Sequence, residues 1–310
     1  MHALYHQYGV FMKKIAYVGL PAHGHTNPTL PIVKRLVQQG NHLLYYNAES
    51  FRGKVAPTGV DFRPFPEPMP TDREVSEAMH GLIHAASMLA SMAEPLAHFL
   101  IAEFEREQPD LVIYDSAAMW GYIAARTHYI PNISFVTTVV LDGSQQVLGW
   151  RLMARYLLSA LPHAPRMLRW RRQMAATFGA ENSGGLTEYA DLNLVFTSKA
   201  FHPENNFVDE RFKFVGPIID AETRNGRSAF PFHQLREGKK VYISLGTINN
   251  LNHDFYQAAF VAFADFDAQF ILSVGKHTDI NALGDVPDNF IVQNFVPQLE
   301  VLQQVDAFIT

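Results

Sequence analysis

Lys13-Lys14-Ile15-Ala16-Tyr17-Val18-Gly19-Leu20-Pro21-Ala22-His23-Gly24-His25-Thr26-Asn27-Pro28 is the stretch that decides the fold. Ile15 to Leu20 is a short apolar run bounded by turn residues, and it reads as a buried strand. Pro28 to Gln39 carries a helical pattern that stops at Gly40, a residue suited to the left-handed position closing a helix. A buried strand passing through a tight turn into a helix is the opening unit of an α/β sheet. In an open parallel sheet, that turn faces the ligand crevice.

The turn lacks the three spaced glycines of a dinucleotide-binding loop and the Gly-Lys-Ser or Gly-Lys-Thr of a P-loop. It offers His23 and His25 instead, just ahead of a helix in which Asn27 and Pro28 stand at cap and first-turn positions. Two readings are open. Both histidines satisfy loop backbone groups, or one is a base whose pKa the helix dipole pushes down, keeping it neutral. As metal ligands the pair is short of partners, because no carboxylate lies nearby in sequence.

Working outward, strands and helices alternate. Strands are expected at His42–Asn47, Asp61–Phe65, Leu111–Asp115, Asn132–Val136 and Leu192–Ser198. Helices are expected within Asp72–Glu107, over Ala117–His128 and within Ser144–Phe178, and the four prolines of Pro64–Pro70 make that segment a loop. The apolar stretch Leu82 to Phe104 is interrupted by His84, Glu94, Pro95 and His98, so it reads as one or two buried helices bent or divided at Pro95 rather than a membrane span. In the strand order 3-2-1-4-5 the strand ending at Asp115 lies beside the first, which brings Asp115 to the crevice of His25. Asp115 either caps the helix beginning near Ser116 or orients the imidazole and stabilises its protonated form.

Periodicity is lost around Gly216–Gly238, where Pro217, Asn225, Gly226 and Pro231 gather, and a second α/β pattern then starts. It comprises strands at Val241–Leu245, Gln269–Val274, Phe290–Phe295 and Asp306–Thr310, with a helix at Asp254–Phe266. The expected organisation is an N-terminal extension (1–12), a first domain (13–217), a linker (218–239) and a second domain (240–310) that reads as incomplete, with too few residues for a finished sheet and its helices.

Of the 310 residues, 48% are hydrophobic and 18% charged, a globular composition, and the formal net charge of -5 gives no general pull toward nucleic acid. The chain has no cysteine, which excludes disulfides, thiolate metal sites and cysteine nucleophiles and fits a reducing cytoplasm. Arg166, Arg169, Trp170, Arg171 and Arg172 mark a basic helix, read either as a solvated face or as a membrane-surface contact.

The turn Ala22 to Pro28, followed by Asp115, resembles bacterial macrolide glycosyltransferases, members of the UDP-sugar-dependent glycosyltransferases with the GT-B fold. The resemblance implies two Rossmann-like doubly wound domains, the first binding an acceptor and the second a nucleotide-sugar donor. It assigns the catalytic base to His25 rather than His23, and its carboxylate partner to Asp115. Val241-Tyr242-Ile243-Ser244-Leu245-Gly246-Thr247 looks like the family strand whose end faces the donor diphosphate. Asn294-Phe295-Val296-Pro297-Gln298 looks like its Trp-Val-Pro-Gln segment, with Phe295 in place of the tryptophan that stacks on the base. Read without the resemblance, Phe295 is an ordinary core residue.

Gly246, Thr247, Phe295, Val296 and Gln298 are therefore the donor-site candidates. The implied reaction transfers a sugar from a nucleoside diphosphate sugar, with uridine as the expected base, to a hydroxyl of a lipophilic small molecule with inversion; it requires no metal or other cofactor. The family's His-Gly-Gly phosphate-binding segment does not occur after Asp306–Thr310, and from this the chain is expected to transfer sugar poorly or not at all. A binding module that holds a hydrophobic small molecule without chemistry is the competing expectation.

Overall fold

The computed structural model describes residues 12–71, 74–75, 82–140, 161–179, 189–203, 207–220, 230–246, 250–276 and 278–310. The expected N-terminal extension, save Met12, lies outside them, as do the middle of the expected linker and the first part of the Ser144–Phe178 region. The chain divides into two compact units, Met1–Thr223 and Arg224–Thr310.

The first unit is a seven-stranded sheet in the order β3-β2-β1-β4-β5-β6-β7. Its strands are β1 (Lys14–Val18), β2 (His42–Asn47), β3 (Asp61–Pro64), β4 (Leu111–Asp115), β5 (Asn132–Val136), β6 (Leu192–Val195) and β7 (Phe212–Phe214). Every neighbouring pair is parallel. Among the described residues its helices include α1 (His23–Thr26), α2 (Leu30–Gln38), α3 (Leu82–Glu107), α4 (Met119–Thr127) and α5 (Ala164–Phe178), with a single further turn of α-helix at Arg52–Val55.

Successive side chains of a strand point to opposite faces, so a strand covered on both sides must be apolar throughout. On one face Ala16, Val18, Leu44, Tyr46, Val112 and Tyr114 pack under α3 and α4 with Leu96, Leu100, Phe104 and Trp120. On the other face Ile15, Tyr17, Leu43, Tyr45 and Ile113 pack with Leu30 and Val33 of α2.

α3 runs through Pro95 without dividing. By length and composition its residues His84–Glu107 suffice to cross a membrane, yet Ala93, Leu96, Ala97, Leu100 and Phe104 are buried in the first core. α4 approaches the sheet closely: a Cβ on Gly121 would lie 2.8 Å from Tyr114 Cβ and 3.0 Å from Val18 Cβ. Gly121→Ala is expected to destabilise the protein by about 1–2 kcal/mol, overpacking of about 1–3 kcal/mol being partly offset by alanine's better helix propensity. The midpoint of urea unfolding checks it, and an unchanged or raised midpoint would contradict the close packing.

The second unit carries a four-stranded sheet in the order β10-β9-β8-β11, formed by β8 (Lys240–Ser244), β9 (Gln269–Ser273), β10 (Phe290–Gln293) and β11 (Ala307–Ile309), again all parallel. Among the described residues its α-helices are α6 (His253–Phe263) and α7 (Gln298–Leu302), and the Asn252 side chain caps α6 by accepting the Phe255 N–H at 3.1 Å. Ile243, Tyr256, Phe260, Phe270 and Phe290 fill one side of this sheet; Phe230, Tyr242, Ile271, Ile291 and Val296 fill the other.

Two local readings are corrected. Helical structure begins at His23 with Ala22 as its cap residue, so Asn27 is no N-cap; it has helical backbone angles and closes the C-terminal end of α1, its N–H donating to the His23 carbonyl. Short 3₁₀ geometry over Asn27–Thr29 links α1 to α2, accommodating Pro28, which lacks an N–H to donate. β7 is a strand that the sequence reading did not place; it is three residues long and follows the charged pair Glu210-Arg211.

Candidate functional site

The turn after β1 is held by its neighbour β2. The Gly19 N–H donates to the Tyr46 carbonyl at 2.9 Å. The buried Asn47 carboxamide sits so close to Gly19 that a Cβ there would lie 2.7 Å from its nitrogen, and that nitrogen donates to Thr26 Oγ1 at 3.4 Å. Glycine at position 19 therefore lets the end of β2 support the first turn of α1. Thr29 Oγ1 donates to the Thr26 carbonyl at 2.8 Å and sits 3.1 Å from the Tyr45 hydroxyl, fixing the next turn.

On this support His25 reaches across to β4. Its Nδ1 lies 2.8 Å from Asp115 Oδ2. The Asp115 side chain is 0% exposed and that of His25 19% exposed. Asp115 Oδ2 meets the imidazole, while Oδ1 accepts the Ala117 N–H at 2.9 Å in the turn ahead of α4; it does not cap that helix, which begins at Met119 with Ala118 as its cap residue and no side-chain cap bond. A third group completes the cluster. Thr137, just beyond β5, places Oγ1 2.8 Å from His25 Nδ1 and 3.3 Å from Asp115 Oδ2. With the carboxylate ionised, this arrangement puts the neutral ring's proton on Nδ1 and leaves Nε2 as the acceptor nitrogen. Thr137 went unread in the sequence.

Burial opposes the charged imidazolium, but the charge and hydrogen bond of Asp115 outweigh it, and the His25 pKa stands above the ordinary histidine value. The expectation that the helix dipole lowers this pKa is overturned: a buried carboxylate in contact is stronger than the partial charge of a helix end. His23 takes another direction. It is exposed, its Nδ1 is 3.3 Å from Lys54 Nζ, and its ring leans on Phe51 at 5.1 Å. Among the described residues no three His, Asp or Glu side chains gather as a metal site.

In the second unit Gly246 and Phe295 lie just beyond the C-terminal ends of β8 and β10. Gly246, after β8, has φ +77, a left-handed angle that favours glycine. Phe295, after β10, is 72% exposed, so the core-packing reading of this residue is wrong. The Val296 side chain does enter the core, beside Tyr242, Ile271 and Val301, so only its backbone remains to meet a ligand. Gln298 is exposed at the first position of α7. Thr247 lies outside the described residues.

No protein-family model matches the chain. It is 32% identical over 302 residues to the NDP-glycosyltransferase YjiC of Bacillus subtilis (strain 168), covering 96% of this chain and 74% of the relative. It is 28% identical over 308 residues to the oleandomycin glycosyltransferase of Streptomyces antibioticus, covering 96% and 69%. Among solved structures, the glycosyltransferase of kitacinnamycin superposes with a TM-score of 0.72 at 27% identity, over 96% of this chain and 74% of that one. Two parallel Rossmann-like sheets and this sequence likeness together make the chain a member of the nucleoside-diphosphate-sugar glycosyltransferases of the GT-B fold.

Proposed function

We propose that the protein transfers a sugar from a nucleoside diphosphate sugar, with uridine as the base, to a hydroxyl group of a lipophilic small molecule by a single inverting displacement. The observation that carries this reading is the 2.8 Å contact between His25 Nδ1 and the buried Asp115 carboxylate. His25 Nε2 removes the proton of the acceptor hydroxyl. The oxygen forms its bond to the anomeric carbon as the bond from that carbon to the diphosphate breaks, and the nucleoside diphosphate departs with the electron pair. Asp115 stabilises the imidazolium so formed, and Thr137 keeps the ring in register with it. Met69, Leu89 and Met92, partly exposed along the core of the first unit, are suited to line the acceptor site. Gly246, Thr247, Phe295, Val296 and Gln298 belong to donor recognition, with Phe295 stacking on the base.

Stereochemistry tests the scheme directly. With UDP-α-D-glucose and a hydroxylated aromatic acceptor, the product is expected to be the β-glucoside, read from the anomeric proton coupling by NMR. An α-glucoside would overturn single displacement, and binding of both substrates without any product would favour a non-catalytic module.

A further inference from the structure

Gly246, Gly275 and Asn294 follow three adjacent parallel strands, β8, β9 and β10, and so share one edge of the second sheet. Two asparagine side chains tie these loops together. Asn250 is buried and donates from Nδ2 to the Gly246 carbonyl at 3.0 Å. Its own backbone carbonyl accepts from the Tyr256 hydroxyl at 2.7 Å and from Thr278 Oγ1 at 3.4 Å. The Asn250 carboxamide also packs against Gly275, which has φ +84 and where a Cβ would collide with it. Asn294 donates from Nδ2 to the Gly275 carbonyl at 2.8 Å and to the Thr278 carbonyl at 2.7 Å. Thr278 Oγ1 in turn donates to the Val274 carbonyl at 2.6 Å.

The Asn250–Gly246 and Thr278–Val274 bonds close single loops, the Thr278–Asn250 bond, the two Asn294 bonds and the Asn250–Gly275 contact join one loop to the next, and none of them belongs to the strand ladder. They also account for Phe295: Asn294 is anchored inward and Val296 is buried, so the residue between them faces outward with 72% of its surface exposed. We propose that Asn250 and Asn294 are positioning residues for the nucleotide sugar, holding the Gly246 turn and the Phe295 ring at the spacing that one nucleoside diphosphate requires. The proposal rests on the reading that Gly246 and Phe295 meet the donor. Loops left untied would have to be ordered on binding, and that conformational entropy would be subtracted from the affinity.

Isothermal titration with UDP, run on the wild-type protein, Phe295→Ala, Asn250→Ala, Asn294→Ala and Asn294→Asp, tests it. Each alanine variant is expected to weaken UDP binding about 10-fold, equal to about 1.4 kcal/mol. Asn294→Asp is expected to be weaker still, because it aims a carboxylate at the Gly275 and Thr278 carbonyls. In turnover, KM for the nucleotide sugar should rise in step, with kcat and the acceptor KM within about twofold of wild type, a split that general loss of stability does not produce. Gly275→Ala, which displaces the Asn250 carboxamide without removing it, should reproduce the Asn250→Ala effect and provides a second route if one asparagine variant fails to fold. If Phe295→Ala loses UDP affinity while the asparagine variants keep it, the positioning role is overturned and the donor reading stands. If Phe295→Ala, or the wild-type protein, shows no specific UDP binding to lose, the donor reading itself falls, and the positioning role with it.

Discussion

His25→Ala is expected to lower kcat by about 10²–10⁴-fold, the usual contribution of a positioned general base. Alanine has no group that can take the acceptor hydroxyl's proton, and it leaves Asp115, which is 0% exposed, without its imidazole partner. Part of the damage is therefore structural: a buried carboxylate deprived of a hydrogen-bonding partner is destabilising, although Ala117 N–H and Thr137 Oγ1 still donate to it. His25→Gln separates the two effects, since it offers Asp115 an N–H donor but supplies no base. Both variants should bind UDP as the wild type does, because His25 belongs to the first unit and the donor candidates to the second. A His25→Ala protein that turns over within threefold of wild type would remove His25 from the mechanism. His23→Ala is the matching control. Its ring contacts Lys54 and Phe51, not Asp115, and its loss should change kcat by less than about tenfold.

The fold was legible where burial on two faces forces a continuous apolar run, as in Leu111-Val112-Ile113-Tyr114 and Val241-Tyr242-Ile243, because such runs admit few alternatives once the helices between them are recognised. Phe212-Lys213-Phe214 escaped because three residues with an exposed lysine in the middle resemble any loop; only pairing to β6 makes them a strand. The start of α1 escaped for a related reason. Ala22-His23-Gly24 holds no side chain that caps a helix, and the turn is fixed instead from outside, by the Asn47 carboxamide and the Tyr46 carbonyl. His25 and Asp115 were readable as a pair because the doubly wound strand order brings the ends of β1 and β4 together. Thr137 was not, since its value lies in a hydroxyl placed between two groups far away in sequence, and Val136-Thr137-Thr138-Val139 reads simply as the end of a strand. The same holds for Asn250 and Asn294: the chain gives their identity, while their partners are set by the conformation of the loop after β8, for Gly246, and by the packing of adjacent loops, for Gly275 and Thr278.

Asp115→Asn should have an effect of similar size and a distinct pH signature. The asparagine can keep the Ala117 N–H bond through Oδ1, but it then turns an N–H₂ group toward His25 Nδ1. The ring responds by carrying its proton on Nε2, the nitrogen that has to accept the acceptor proton, so kcat falls by about 10²–10⁴-fold. In the wild type, burial works against the imidazolium, yet Asp115 raises the His25 pKa above the ordinary value. Only the neutral ring is a base, so log(kcat/KM) falls with unit slope as the pH drops through that raised pKa. Without the carboxylate, desolvation alone remains, the pKa moves below the ordinary value, and the acidic limb shifts to lower pH while the plateau drops.

Stability carries the same linkage with opposite consequence. A raised folded-state pKa stabilises fully below the unfolded value of about 6.5, and this contribution disappears as the pH rises through the folded pKa. The stability difference between wild type and Asp115→Asn should therefore narrow on going from pH 6 to pH 9, as followed by urea unfolding. An ¹⁵N titration of the His25 ring reads the pKa and the tautomer without relying on turnover. An acidic limb and a ring titration that stay in place when Asp115 is neutralised would mean that the carboxylate does not govern the base, whatever the distance between them.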